Sequence, residues 1–256
     1  MVRVRLGGRG ISGPVVVAAV AGALVAGAVG AFGWLANRAD QPGSGPVAVQ
    51  GGAEDYGAAP SYTFTDQHGR PFSSSKLTGK VQVVSYLFPY CTTYCPLIAR
   101  TLAQTQQLVD EADLTDRVAF VAFNVDPLGA GPDQRLAAFL RQEGIDPNDP
   151  AWHYLTGGPA EIRRVVADGF HIYYERVSLA EEEQAEEDAK AAGDYTPQPE
   201  LPNALADKAH VDYDIVHNDY VEIVDPAGTI RTLFNAGEGM TARQILDAIQ
   251  QALGSR

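Results

Sequence analysis

The apolar residues of this chain fall into two regimes. From Ile11 to Ala36 there is one long uncharged stretch, and from about residue 62 short apolar runs alternate with amphipathic segments. Tyr62 to Thr65 reads as a short strand, ended by the turn Asp66-Gln-His-Gly69. Val81 to Phe88 is a continuous apolar run of strand length and strand composition, the pattern of a buried central strand. Proline is tolerated in a helix only within the first turn, so Pro96 places the next helix start near Thr93 to Pro96. That helix carries Leu97, Thr101, Leu102 and Leu108. Val118 to Val125 repeats the buried-strand pattern and is closed by Asp126-Pro127. A helix from about Pro132 to Gln142 follows, with Leu136, Phe139 and Leu140 on one face. Trp152 to Leu155 is a further strand, and Gly158-Pro159 opens a helix running to about Ala167. Val221 to Val224 and Ile230 to Phe234 flank Asp225-Pro-Ala-Gly228, the signature of a hairpin. Thr241 to Leu253 is a last amphipathic helix, with Ile245, Leu246 and Ile249 apolar. Strands alternating with helices, then a hairpin and a helix, predict an α/β sandwich around a central mixed sheet.

One segment breaks the alternation. Residues 178–210 carry Glu181, Glu182, Glu183, Glu186, Glu187 and Asp188, followed by Pro197, Pro199 and Pro202. This reads as an exposed acidic helix and loop inserted into the domain. A negatively charged docking surface or a lid beside the functional site is the sharper alternative.

The N-terminal run sets the expected location. Arg3, Arg5 and Arg9 precede it, and the next charges are Arg38 and Asp40. At about 1.5 Å per residue such a helix exceeds the roughly 30 Å hydrocarbon core of a bilayer. The positive flank keeps residues 1–10 in the cytoplasm and makes 11–36 a single-pass transmembrane anchor in the cell membrane. The remainder is then exported to the extracytoplasmic side. A cleaved signal peptide is the competing reading, though its apolar region is normally shorter, about 7–15 residues. Residues 37–60 are rich in Gly, Ala and Pro with no apolar period and read as a flexible linker. Residues 61–256 then form one domain, in keeping with a 256-residue chain. A formal net charge of -13 argues against nucleic acid as a partner, because phosphates repel such a surface.

The chemistry of the chain is concentrated in Phe88-Pro-Tyr-Cys-Thr-Thr-Tyr-Cys-Pro96. Cys91 and Cys95 are its only cysteines, too few for a disulfide scaffold. They sit where a strand hands over to a helix, and backbone N–H groups at a helix start favour thiolates. A dithiol after the first long buried strand is also where a thioredoxin-like fold places its active site. Two such thiols can exchange disulfides, with Cys91 attacking from an exposed loop and Cys95 resolving, or hold a soft metal. A staple across so short a loop removes little unfolded-state entropy, which disfavours a merely structural disulfide. A peroxidase use of Cys91 lacks an evident arginine nearby.

Five histidines are candidates for a third ligand. His68 is a turn residue, and His153 and His171 lie in strand-like runs where packing explains them. His210 ends the acidic insertion and His217 precedes the hairpin, so the choice of imidazole lies between these two. Two thiolates and one imidazole favour copper, whereas structural zinc wants a fourth ligand, and none is evident close by in the sequence unless Asp126 is recruited.

The cysteine loop, the strand end Asn124-Val-Asp-Pro127 and the His217 segment occur in the order that characterises the SCO/SenC family of copper-binding proteins. Tyr154-Leu-Thr-Gly157 and Ile172-Tyr-Tyr174 resemble two further landmarks of that family, and the likeness spans about residues 60–253. The resemblance implies a thioredoxin-like fold behind a membrane anchor, with Cys91, Cys95 and His217 as copper ligands. It also implies a metallochaperone that helps assemble the copper centre of cytochrome c oxidase. Its partners would be the copper-receiving subunit or its assembly factors. Reduction of partner cysteines, an extracytoplasmic thiol–disulfide reductase activity, is the alternative role. The chain departs from the family pattern twice: Thr92-Thr93-Tyr94 replaces the usual Pro-Asp between the cysteines, and Val216 replaces the usual Asp before the histidine.

Overall fold

The computed structural model describes residues 55–126, 134–206, 211–236 and 239–254. The expected anchor at 11–36, most of the linker, Pro127 and His210 lie outside these residues. Among the described residues no helix is long and apolar enough to cross a membrane.

Five strands form the central sheet. β3 (Val81–Leu87), β4 (Val118–Asn124) and β5 (Trp152–Leu155) run parallel, while β8 (Tyr220–Val224) and β9 (Ile230–Asn235) add antiparallel pairings in the order β5-β4-β3-β8-β9. Every residue of β3 and β4 is buried, which is why both read as unbroken apolar runs rather than alternating ones. The central sheet is mixed, as the sequence predicts. Two small sheets flank it: β1 (Thr63–Thr65) with β2 (Pro71–Ser73), and β6 (Tyr174–Ser178) with β7 (Tyr213–His217), both antiparallel.

The helices follow the expected segments. α1 (Tyr94–Glu111) connects β3 to β4, α2 (Gln134–Gln142) precedes β5, and α3 (Pro159–Val166) lies against β4. α4 (Leu179–Ala192) belongs to the acidic insertion, and α5 (Ala242–Gly254) packs on α1, β3 and β8. α4 starts with a capping box between Ser178 and Glu181 and stops at Gly193, whose φ of 77° is the left-handed conformation that glycine adopts without strain. Ala189 is its one buried residue, so local caps and intrahelical pairs, rather than core packing, hold it.

The structure corrects the sequence reading in three places. Residues 55–60, read as the end of the linker, are docked: Tyr56 N–H donates to Ile230 O, Ile230 N–H to Gly57 O, and Ala59 N–H to Gly228 O. His171 lies in a loop with φ of 59°, not in a strand. The hairpin β6–β7 was not expected, because β6 (Tyr-Glu-Arg-Val-Ser) is mostly polar and its partner lies beyond the whole insertion.

Candidate metal and thiol site

β3 ends at Leu87, and a turn closed by Cys91 N–H donating to Phe88 O (3.1 Å) delivers the first cysteine. Thr93 caps α1, yet its side chain makes no cap bond to the helix. The Cys91 sulfur takes that place, accepting from Thr93 N–H at 3.4 Å and Cys95 N–H at 3.5 Å, with Thr93 Oγ1 at 3.3 Å. The unpaired N–H groups of a helix start thus converge on a thiol sulfur, an arrangement that favours its anion. Cys95, in the first turn, is fully buried and its sulfur accepts from Phe88 N–H at 3.4 Å.

The two thiols are electrostatically unlike. A hydrogen bond from the Cys95 thiol, helped by His217 and Thr93, outweighs burial and holds Cys91 down to about 7. Burial pushes Cys95 well above the usual thiol range, and the hydrogen bond that it donates to Cys91 adds to the shift. Both cysteines are free thiols, and Cys91 is only 6% exposed, so the expected exposed loop is in fact covered.

His217 ends β7 and reaches the same place from the other side of the sequence. Its ring Nδ1 lies 3.0 Å from Asn218 O, a carbonyl that can only accept, so Nδ1 carries the proton. Nε2 is left to face Cys95 Sγ at 3.5 Å, and the imidazole side chain is 3% exposed. Asn218 is anchored in turn: its N–H donates to Tyr173 O (3.1 Å) and its Oδ1 accepts from Tyr173 N–H (2.8 Å). Strand alternation sends Val216 to the opposite face from His217. The acid beside the imidazole is instead Asp219, with Oδ1 3.9 Å from Nδ1 and its carboxyl pushed up to about 6 by burial. Sequence reasoning missed Asp219 because it looked for an acid before the histidine; the signal was His217-Asn-Asp219 immediately after a strand.

Cys91, Cys95 and His217 are therefore brought together. The other candidates are not. His68 sits in the Asp66–Gly69 turn, and His153 stacks on Phe72 at 4.2 Å, where burial lowers it to about 4. Asp126 accepts from the Tyr213 hydroxyl at 3.2 Å and pairs with Arg135 at 4.0 Å, so its carboxylate is engaged elsewhere. Arg135 also reaches the Tyr90 hydroxyl at 2.7 Å, which places one guanidinium on the residue next to Cys91.

The donor set suits a soft metal. The Cys95 sulfur and His217 Nε2 stand 3.5 Å apart. Among the described residues no three His, Cys, Asp or Glu side chains form a ready-made metal cage. A metal would replace the hydrogen bonds that now join the trio.

A family model described as SCO1/SenC matches residues 50–196, more than half of the chain. The matched stretch contains both cysteines and stops short of His217. Among curated proteins, a SCO2-like protein of Rickettsia typhi is 25% identical over 48% of this chain and 57% of its own length. The chain thus spans little more than half the length of such relatives. A SCO1/SenC family lipoprotein from Bacillus anthracis superposes with a TM-score of 0.58 at 22% identity, over 80% of this chain and 99% of that one. Bradyrhizobium japonicum ScoI with copper bound gives 0.54 at 19% identity, over 77% and 100% of the two chains. BsSco, a Sco-family cytochrome c oxidase assembly protein with a disulfide switch, gives 0.55 at 19%, over 81% and 100%. At these identities what is shared is the fold, a thioredoxin-like α/β arrangement around a mixed sheet.

Proposed function

This chain belongs to the SCO1/SenC family, and from that premise we propose that it is a copper chaperone serving the assembly of cytochrome c oxidase. The observation that carries this reading is the meeting of Cys91, Cys95 and the Nε2 face of His217 at one buried point. Copper is the cargo. Cys91 ionises around neutral pH, Cys95 would give up its proton when the metal arrives, and His217 offers a lone pair whose direction the Asn218 carbonyl sets. Transfer proceeds by ligand exchange, each chain sulfur being replaced by a thiolate of the copper-receiving oxidase subunit or of an assembly factor.

The related ScoI with bound copper and the role of BsSco in oxidase assembly support this reading by kinship. Residues 11–36 would anchor the chain in the cell membrane and the remainder of the linker would hold the domain on the extracytoplasmic side. The Bacillus relative is a lipoprotein, which supports membrane association of this chain by kinship.

Copper titration of the reduced chain tests the proposal. About one copper per chain is expected for a single three-ligand site, with loss in Cys91→Ser/Cys95→Ser. Equal copper uptake by that double variant would sink the idea. One observation favours a second role as thiol–disulfide reductase: the split between a readily ionised Cys91 and a protonated Cys95 suits attack and resolution. His217→Ala separates the two, since it should abolish Cu(II) binding while leaving turnover with a disulfide substrate.

A further inference from the structure

The cysteine loop is tied down by residues more than a hundred positions away. After α4, residues 194–206 leave the helix and cross to the thiols. Leu201 N–H donates to Thr92 O at 2.6 Å. The side-chain amide of Asn203 donates to Pro89 O at 2.9 Å and to Cys91 O at 2.8 Å. Both acceptors are carbonyls, so the nitrogen of the amide must face them. Its oxygen accepts from Leu205 N–H at 3.0 Å and, more loosely, from Gln142 Nε2 at 3.5 Å. Gln142, at the end of α2, also accepts from Ala204 N–H at 3.2 Å. Asn203 is 1% exposed, yet both its donor hydrogens and its acceptor oxygen are used.

Three of the carbonyls between β3 and α1 are therefore satisfied by two residues of the insertion. The excursion also has a telling origin. It leaves the β6–β7 hairpin at the Ser178–Tyr213 end, while the opposite end of the same hairpin pairs Tyr174 with His217. One continuous stretch of chain thus holds the imidazole at one end and the thiol loop at the other. The intercysteine residues Thr92-Thr93-Tyr94 contain no proline to stiffen the loop from within.

We propose that Asn203 is a positioning residue that fixes the Cys91 backbone, and that 194–206 is an internal strap holding the dithiol in register with His217. The copper arm of the test rests on the function proposed above; the thiol arm does not.

The thiol arm uses the metal-free full chain in detergent, equilibrated with reduced and oxidised glutathione. Cys91 and Cys95 form one S–S bond and lose two protons and two electrons, while one glutathione disulfide becomes two thiols. Asn203→Asp keeps the side-chain size and the acceptor for Leu205 N–H but sets oxygen against two carbonyls. It should lower the equilibrium constant for closing the disulfide about tenfold, equivalent to about 30 mV, and Asn203→Ala should do the same. Gln142→Ala, which spares both amide donors, should stay within about twofold. An unchanged or higher constant in folded Asn203→Asp overturns the proposal. Should neither Asn203 variant fold, Leu201→Pro, which removes the N–H that bonds Thr92, must still lower the constant relative to Leu201→Ala, which keeps that N–H; no difference between the two overturns it equally. In the copper arm, Cu(I) should bind Asn203→Asp about tenfold more weakly than wild type. Wild-type protein that binds no Cu(I) refutes the chaperone reading, and the disulfide constants then decide the strap alone.

Discussion

Cys91 and Cys95 differ by four positions and by opposite electrostatic fates. Helix-start N–H groups and the neighbouring thiol stabilise the Cys91 anion, while Cys95 is sealed in the core. Lowering Cys91 from 9.0 to about 7 contributes stability that is complete above pH 9 and is lost as pH falls through about 7. Iodoacetamide labelling followed by peptide mapping should give a Cys91 rate with a midpoint near pH 7 and a Cys95 rate that rises only in strong alkali. Equal midpoints for the two thiols would remove the asymmetry. Copper affinity follows the same protons: Cys95 must ionise to ligate, so affinity should rise with pH, and a competition titration at pH 6 and pH 8 that shows no difference would contradict ligation by Cys95. At this scale the sequence was informative about types and silent about environment. It identified the thiols from their spacing but expected an exposed Cys91. The loop is bonded to Leu201 and Asn203, whose polar and apolar letters carry no period that points to a distant carbonyl.

Among the elements, β8 carries a cost within the sheet. Glu222 is buried opposite Val84, close to the Tyr86 hydroxyl but without good hydrogen-bond geometry, and burial raises its carboxyl to about 8. Because the folded value lies above the ordinary 4.5, its contribution to stability is full below about pH 4.5 and is lost as pH rises through about 8. The slope is at most about 1.4 kcal/mol per pH unit for one proton. Urea unfolding at pH 5 and pH 8 should show Glu222→Gln gaining on wild type at the higher pH; parallel curves would show that Glu222 is already ionised in the fold. The elements themselves were well marked in the sequence wherever apolar periodicity marks them: β3, β4, α1, α5 and the β8–β9 hairpin fall on the expected segments. The hairpin β6–β7 was hidden because Glu175 and Arg176 are solvent-facing and pairing spans the insertion, a non-local choice that no local pattern encodes.

For the whole molecule, the insertion is the feature whose meaning changes most. Its helix is exposed and acidic, but its trailing segment is hydrogen-bonded to the cysteine loop. The proposed membrane attachment belongs to this scale too. Deleting residues 11–36 should release the chain from the carbonate-washed membrane fraction while leaving one copper per chain, and retention of the deleted form in membranes would assign the tether elsewhere. The burial of all three candidate ligands, with Cys91 6% and the His217 ring 3% exposed, has a kinetic consequence. If the chain hands copper to an acceptor as proposed, its buried ligands must first be exposed, so hand-over should saturate: at high acceptor concentration the rate should level off at the frequency of opening. Such a carrier would meter its cargo by its own breathing, and a passing thiol in solution would gain little by being abundant.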